Sequence, residues 1–251
     1  MSNHMAHSVQ RDSRSRCYLC SSEKDLTREH IPPRGLFLKP RPANLITVPC
    51  CGRCNNSHSK DDELLRLIVS GGINKNPLGH RLWKEKILPQ TIKGHRLPHE
   101  IRDIVRNTKW VTLLTPFGAK KVPQMELPQE NTIPSLIRIT KGLLLHHYPD
   151  MEYHDLQYRV QQIPQFKLNI LIPLMTNNMF YDCRGDGVFR FWRGMAVDAP
   201  RCGMWVLLFF DSCGFTVTHF TNENRLETEQ PNVNGCSQSA CLLGGAGSGL
   251  Y

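Results

Sequence analysis

The chain has 251 residues, of which 31 are Lys or Arg and 22 are Asp or Glu, so its formal net charge is +9. The excess lies in the first half: residues 1–121 carry 22 basic and 10 acidic side chains, whereas residues 122–251 carry 9 and 12. A polyanionic partner is therefore expected for the first half alone. Because 40% of the residues are hydrophobic, a chain that is disordered throughout is excluded.

Membrane and secreted classes are also disfavoured. The longest apolar runs, 168–175 and 204–210, are much shorter than the ~20 residues that cross a bilayer, so no membrane partner is expected. The N-terminus has no apolar segment of the kind found in a signal peptide. Ten cysteines without an export signal indicate metal binding or free thiols rather than disulfides. These features predict a cytoplasmic protein.

The first half of the chain is predicted to contain a leader, a compact module and a connector. Residues 1–15 are expected to be disordered, and residues 16–70 to form a module whose helix at 60–69 has apolar residues at helical spacing. Residues 71–128 contain six prolines and are predicted to be a basic helical connector. Its expected elements are short helices at 79–87 and 98–107 and a strand at 109–115.

The second half is predicted to be an α+β domain of unassigned role at residues 129–222, followed by a flexible tail at 223–251. A helix is expected over 131–148. Strand-like runs separated by Gly, Asp, Asn and Pro follow it, at 157–163, 166–174, 187–192, 205–210 and 215–220. The fold class predicted for the whole chain is α+β.

Two Cys-x2-Cys pairs are the strongest local signal. Cys17 with Cys20 and Cys51 with Cys54 are separated by 30 residues, and two such pairs can complete a tetrahedral site of four thiolates around one Zn²⁺. The gap is longer than the ~15–20 residues of the simplest zinc sites of this kind, so a β-hairpin is expected between the pairs. Cys50 could replace Cys51, but the x2 spacing favours Cys51. Free buried thiols are the alternative without metal.

Polar residues with catalytic chemistry lie between and just after these pairs, in LTREHIPP (26–33), NLITVP (44–49) and NNSHSK (55–60). They offer a carboxylate at Glu29, an imidazole at His30 and an amide at Asn55 near the start of a helix. Such groups suit a hard divalent cation that acts on a phosphodiester. Neighbouring residues on a regular strand face opposite sides, but the prolines at 32 and 33 end regular pairing directly afterwards, which allows Glu29 and His30 to converge.

The order CxxC, acid-His-Ile-x-Pro, Asn-Leu, CxxCN over about residues 16–70 resembles the HNH (His-Asn-His) endonuclease family in its zinc-stabilised ββα-metal form. The resemblance implies a treble-clef-like module with a hairpin near 26–50 and a helix beginning near Asn55. It also implies that His30 is the general base, that Glu29 and Asn55 hold a catalytic Mg²⁺ or Mn²⁺, and that Asn44 orients His30. The zinc would have a structural role only.

The chain departs from the usual family pattern at several positions. Glu29 stands where Asp is more usual, and Asn55 where many members have His. His58 replaces a residue that is commonly basic, and is a candidate for a further cation ligand or a phosphate contact. Plainer interpretations also stand: Glu29 and His30 as a surface ion pair, Asn44 as a turn residue and Asn55 as a helix N-cap.

Residues 71–121 carry 11 basic and 3 acidic side chains, which favours contact with a nucleic-acid backbone over a merely solvated helix face. The expected contacts are Lys60, Arg81, Lys84 and Lys86. The predicted function is a metal-dependent HNH endonuclease that hydrolyses DNA, with RNA open as a substrate. The alternative is a zinc-stabilised nucleic-acid-binding protein without nuclease activity. The negative charge of the second half also fits a protein partner for residues 129–222.

Overall fold

The structure, a computed structural model, describes residues 15–72, 74–92, 102, 106–107, 109–115, 118–124 and 129–222. Helices and strands are mixed within these residues, so the predicted α+β class is confirmed. Apart from Ser15, the predicted leader and tail lie outside the described residues, and the predicted helix at 98–107 is described only at 102, 106 and 107. No helix in the described ranges is both long and apolar enough to cross a membrane.

The N-terminal part is a hairpin followed by two helices. Its elements are β1 (Leu26–Ile31), β2 (Ile46–Cys51), α1 (Gly52–Ser57) and α2 (Ser59–Gly71). The two strands pair antiparallel, with Glu29 opposite Val48 and His30 opposite Thr47. The helix predicted at 60–69 is confirmed as part of α2, because its apolar residues fall on the buried side of the helix.

The connector combines helical turns with a separate hairpin. It contains α3 (Pro77–Leu82), a π-helical segment (Trp83–Ile92), β3 (Lys109–Thr115) and β4 (Gly118–Gln124). The strand predicted at 109–115 is confirmed, and it pairs antiparallel with β4, which the sequence patterns did not indicate. The helix predicted at 79–87 begins earlier because Asn76 caps it: the Asn76 Oδ1 accepts a hydrogen bond from the Gly79 N–H at 3.0 Å.

A five-stranded antiparallel sheet dominates the C-terminal part. Its elements are α4 (Ile133–His147), β5 (Gln157–Ile163), α5 (Gln165–Asn178), β6 (Phe180–Arg184), β7 (Phe189–Met195), β8 (Gly203–Phe209) and β9 (Cys213–Phe220). The strand order is β5-β9-β8-β7-β6. The helix predicted at 131–148 is confirmed as α4. The strands predicted at 157–163, 187–192, 205–210 and 215–220 correspond to β5, β7, β8 and β9.

The strand predicted at 166–174 is wrong, because this run is the middle of α5. Short apolar runs do not distinguish a buried strand from a helix. The residues of α5 that pack against the sheet recur at helical spacing, at 168, 171, 172 and 175, and Met179 packs there directly after the helix. Phe166, Ile170 and Leu174 lie on the exposed side of the helix.

One hydrophobic core joins the N-terminal hairpin to the C-terminal sheet. A single cluster of buried residues includes Ile31 and Val48 of the hairpin, Leu143 of α4, and Phe191 and Trp205 of the sheet. A smaller cluster lies between α5 and the opposite face of the sheet. The module and the C-terminal region are therefore packed together as one folded unit.

Helix α4 approaches the hairpin closely at two positions one turn apart. A Cβ atom on Gly142 would lie 2.5 Å from the Ile31 Cγ1, so this contact requires a glycine. One turn earlier, the Arg138 Nη1 donates to the Glu29 Oε1 at 2.5 Å. Glu29 and Ile31 lie on the same face of β1, because side chains alternate along a strand. The hairpin face that carries Glu29 is thus fixed against α4.

Replacement of Arg138 by methionine tests this junction. Glu29 is 5% exposed, so the variant leaves a buried carboxylate without its cation, and we expect the free energy of unfolding to fall by about 3–5 kcal/mol. Urea unfolding at neutral pH measures the change.

Two further variants define the comparison. Glu29→Gln combined with Arg138→Met removes the ion pair as a whole, so we expect the double variant to lose less than the sum of the single losses. Arg81→Met breaks the exposed ion pair between Arg81 and Glu85, where a loss of at most about 1 kcal/mol is expected. Equal losses in Arg138→Met and Arg81→Met would contradict a structural role for the junction.

Candidate functional site

Four cysteine thiols lie together at one end of the hairpin. Cys17 and Cys20 belong to the turn before β1, Cys51 ends β2 and Cys54 lies in the first turn of α1. Their Sγ atoms all lie within 4.8 Å of one another. The Cys20 and Cys51 Sγ atoms are 3.7 Å apart, close to the ~3.8 Å edge of a tetrahedron with Zn–S bonds of ~2.3 Å. The predicted group of four ligands is therefore assembled, and it can hold a zinc ion.

Backbone hydrogen bonds fix both cysteine pairs. The Tyr18 N–H donates to the Pro49 carbonyl at 3.0 Å, which ties the first pair to β2. The Cys54 N–H points at the Cys51 Sγ at 3.5 Å, so Cys51 also caps α1. Cys50, the alternative ligand, is fully buried outside this group. Burial, together with the nearby Glu29 carboxylate, raises the pKa of the Cys50 thiol.

A cavity of about 550 Å³ opens beside the hairpin. Strand β1, the loop after it, α1, α2 and the π-helical segment all contribute to its wall. Its lining residues are Arg28, Glu29, His30, Pro33, Arg34, Gly35, Arg41, Asn55, Asn56, Ser59, Asp62, Glu63, Arg66 and Lys86. Five of these side chains are basic and three are acidic. The lining is therefore positive on balance, which favours an anion, and it also contains carboxylates.

His30 is half-buried in β1 and lines this cavity. Burial lowers the pKa of its imidazole, and the charges of Arg34 and Arg41 lower it further, while Glu29 opposes them. The ring is therefore neutral at pH 7 and can accept a proton. Strand β1 ends at Ile31, directly before prolines 32 and 33, as expected. Glu29 and His30 line the same cavity.

Glu29 has a partner that the sequence patterns did not reveal. Its Oε1 accepts from the Arg138 Nη1, while the Arg138 Nη2 donates to the Asp62 Oδ1. Burial by itself would lower the pKa of Arg138, but the two carboxylates outweigh burial and raise it. The guanidinium therefore stays charged. The Glu29 Oε2 is buried and has no hydrogen-bond partner among the described residues. A surface ion pair between Glu29 and His30 is not what the structure shows.

Asn55 lines the cavity from α1. Its Nδ2 donates to the Thr27 Oγ1 at 3.1 Å, and the Thr27 hydroxyl donates to the Cys50 carbonyl at 2.8 Å. This chain orients the amide, so the Asn55 Oδ1 is the atom that can bind a cation. The N-cap residue of α1 is Cys51, so Asn55 is not a helix cap.

Two other predicted residues lie outside the cavity lining. Asn44 is exposed in the turn before β2. His58 lies between α1 and α2, with its Nδ1 3.3 Å from the Asp61 Oδ2. Their roles in orienting His30 and in binding a cation stay predictions.

Lys86 is the one predicted nucleic-acid contact that lines the cavity. Arg81 is paired with Glu85, and Lys60 and Lys84 are exposed outside the lining. The structure adds four basic residues that sequence reasoning missed: Arg28, Arg34, Arg41 and Arg66. Arg28 and Arg34 could have been found because they flank the acid-His motif, and Arg66 because it lies one helical turn after Asp62.

Comparison with protein-family models, curated proteins and solved structures finds no match for this chain. The chemistry of the site therefore has to be inferred from its own residues. The cavity brings together a neutral imidazole, an oriented amide, two carboxylates held by one guanidinium and several cationic side chains. Such a set can bind an anion, hold a divalent cation and accept a proton.

Zinc binding is tested by metal content and thermal stability. We expect one zinc per purified chain and none in Cys20→Ser, because a structural site needs all four ligands. Loss of the ion should lower the melting temperature strongly, since structural zinc contributes about 10–16 kcal/mol in isolated finger peptides. Cys183→Ser, a partly exposed cysteine outside the group, is the control that should keep the zinc. A wild-type chain that binds no added zinc would refute the site.

Proposed function

We propose that this protein is a metal-dependent endonuclease of the HNH type that cuts DNA. The observation that carries the proposal is the single cavity shared by His30, Asn55, Glu29 and Asp62, with basic residues around them. The order of hairpin, cysteine group and helix matches the arrangement that the motif resemblance implies. The basic rim supplies what a phosphodiester backbone requires, because Lys and Arg contacts to phosphates provide most non-specific affinity.

In this proposal His30 accepts the proton of the attacking water. A neutral imidazole is the form that a general base requires, and such a base typically contributes ~10²–10⁴-fold to the rate. The cationic side chains of the rim bind the phosphates on either side of the cleaved bond. A bound Mg²⁺ or Mn²⁺ would polarise the scissile phosphate and stabilise the leaving 3′-oxygen. The products are 5′-phosphate and 3′-hydroxyl ends.

The oxygen donors available for that cation are the Asn55 Oδ1, the Glu29 Oε2 and the Asp62 carboxylate. All three residues line the cavity, and the Glu29 Oε2 has no other hydrogen-bond partner among the described residues. Carboxylate and amide oxygens are the ligands that Mg²⁺ prefers. Arg138 holds one oxygen of each carboxylate, and the second oxygen of each lies outside that ion pair.

The second candidate function is nucleic-acid binding without cleavage. The observation that favours it is the Arg138 guanidinium, which already neutralises part of the charge of Glu29 and Asp62. Burial also raises the pKa of the Asp62 carboxyl, against the pull of Arg138. Both effects weaken the attraction of the site for a cation. In this alternative, the zinc group and the basic rim keep their roles. A protein partner for residues 129–222 and a cytoplasmic location stay predictions under either function.

A plasmid-nicking assay with Mg²⁺ or Mn²⁺ separates the two functions. We expect wild-type protein to convert supercoiled plasmid to nicked or linear DNA, and His30→Ala to cut at least ~100-fold more slowly. The variant should keep its zinc and its DNA affinity, because His30 is not one of the four thiol ligands and does not belong to the buried hydrophobic core. His80→Ala, an exposed histidine outside the cavity, is the matched control and should cut at the wild-type rate.

Each outcome of this assay decides between the functions. Equal cutting by wild type and His30→Ala would remove His30 from the mechanism and point to a contaminating nuclease. Intact DNA binding with no cutting by wild type in either metal would favour the second function. Loss of cutting in His80→Ala as well would show that the effect is not specific to the cavity.

A further inference from the structure

The hairpin of β3 and β4 differs from the other strands of the protein. Like β1 and β2 it forms a two-stranded sheet, but the β1–β2 hairpin contributes Ile31 and Val48 to the hydrophobic core, and the strands of the C-terminal sheet are covered by helices. The structure describes the burial of seven of its residues, and all seven are exposed or partly exposed. An isolated two-stranded hairpin is only marginally stable in water. The exposed side chains of this hairpin are therefore not explained by packing within the described part of the chain.

Trp110 is the most conspicuous side chain of this hairpin. It is 69% exposed, whereas Trp192 and Trp205 are buried. Trp83, the remaining tryptophan, lies beneath the Lys75 ammonium at 4.9 Å. Trp110 has no ring contact among the described residues. Its ring is therefore free to stack on another molecule.

The charge of the hairpin indicates what that molecule is. Residues 109–124 contain three lysines, Lys109, Lys120 and Lys121, and no acidic residue. The register places Trp110 opposite Pro123 and Thr112 opposite Lys121, so Trp110 and Lys121 share one face. An aromatic ring beside ammonium groups is the combination that binds single-stranded nucleic acid, because bases stack on the ring while the cations contact phosphates.

We propose that the β3–β4 hairpin is a binding arm for single-stranded nucleic acid, in which Trp110 stacks on an unpaired base and Lys121 contacts a neighbouring phosphate. This inference deepens the proposed function, on which it rests for the choice of a nucleic acid as the ligand. It assigns to the protein a preference for substrates with unpaired bases. Stacking tolerates any base, so the arm contributes affinity and not sequence specificity.

Binding to oligo(dT), measured by fluorescence anisotropy with no divalent cation added, tests the arm. All variants are made in the full chain that carries His30→Ala, so cleavage plays no part in the measurement. We expect Trp110→Ala to weaken binding by about 5- to 100-fold, which corresponds to the loss of one stacked base. Trp110→Phe should recover most of the affinity, because a phenyl ring also stacks.

Two further variants separate stacking from charge and from general surface effects. Lys121→Gln should lower the slope of log affinity against log salt by about 0.7, whereas Trp110→Ala should leave that slope unchanged. Phe166→Ala is the matched control, since Phe166 is 74% exposed with the Lys167 ammonium 5.9 Å from its ring, but lies in the acidic half of the chain. We expect it to bind oligo(dT) as the parent does.

Several results would overturn the proposal. They are unchanged affinity in Trp110→Ala, an equal loss in Phe166→Ala, or a loss for duplex DNA as large as that for oligo(dT). The duplex result would mean that Trp110 contacts the backbone or a groove and not an unpaired base. Failure of the arm is distinguishable from failure of the nuclease proposal, because the binding measurement does not depend on cleavage.

Discussion

The buried guanidinium of Arg138 is the interaction on which the rest of the site depends. It lies where β1, α2 and α4 meet, and it binds a carboxylate from each of the first two elements. Removing these charges from water costs several kcal/mol per ion, and the pairing of one guanidinium with two carboxylates offsets that cost. The positions of Glu29 and Asp62 at the cavity are therefore set by a residue that lies in the other half of the chain. Cleavage chemistry in the N-terminal module would require the C-terminal half to be folded.

The hairpin is held at both ends by different physical means. At one end, four thiols are placed to share a metal ion, and at the other end Gly142 lets α4 approach Ile31. Between these ends the cavity is lined by more positive than negative side chains. The repulsion between the positive charges affects Lys86. Burial lowers the pKa of its ammonium, and Arg41, Arg66 and Lys39 lower it further. A polyanion would relieve that repulsion, which is the electrostatic reason to expect a phosphate backbone there.

Local patterns predicted the parts of the molecule that local forces determine. The cysteine spacing indicated a group of four thiol ligands, and apolar periodicity indicated α2. Alternation and turn residues located most strands of the C-terminal sheet, but the apolar run in α5 fits either a helix or a strand until its packing surface is known. Arg138 gave no such signal, because an ion pair across 109 residues leaves no spacing to recognise. For the same reason, Asp62 could not be placed in the cavity beforehand.

We propose that the cavity holds a divalent cation for phosphodiester cleavage, separate from the zinc ion that the four cysteines can hold. Crystals of the protein grown with Mn²⁺ test it directly, because anomalous scattering near the Mn and Zn edges distinguishes the two metals. The account predicts zinc at the four thiols and manganese in the cavity, bound to the Asn55 Oδ1 and to a carboxylate oxygen of Glu29 or Asp62. A crystal with zinc at the thiols, excess Mn²⁺ in the solution and no manganese in the cavity would contradict it.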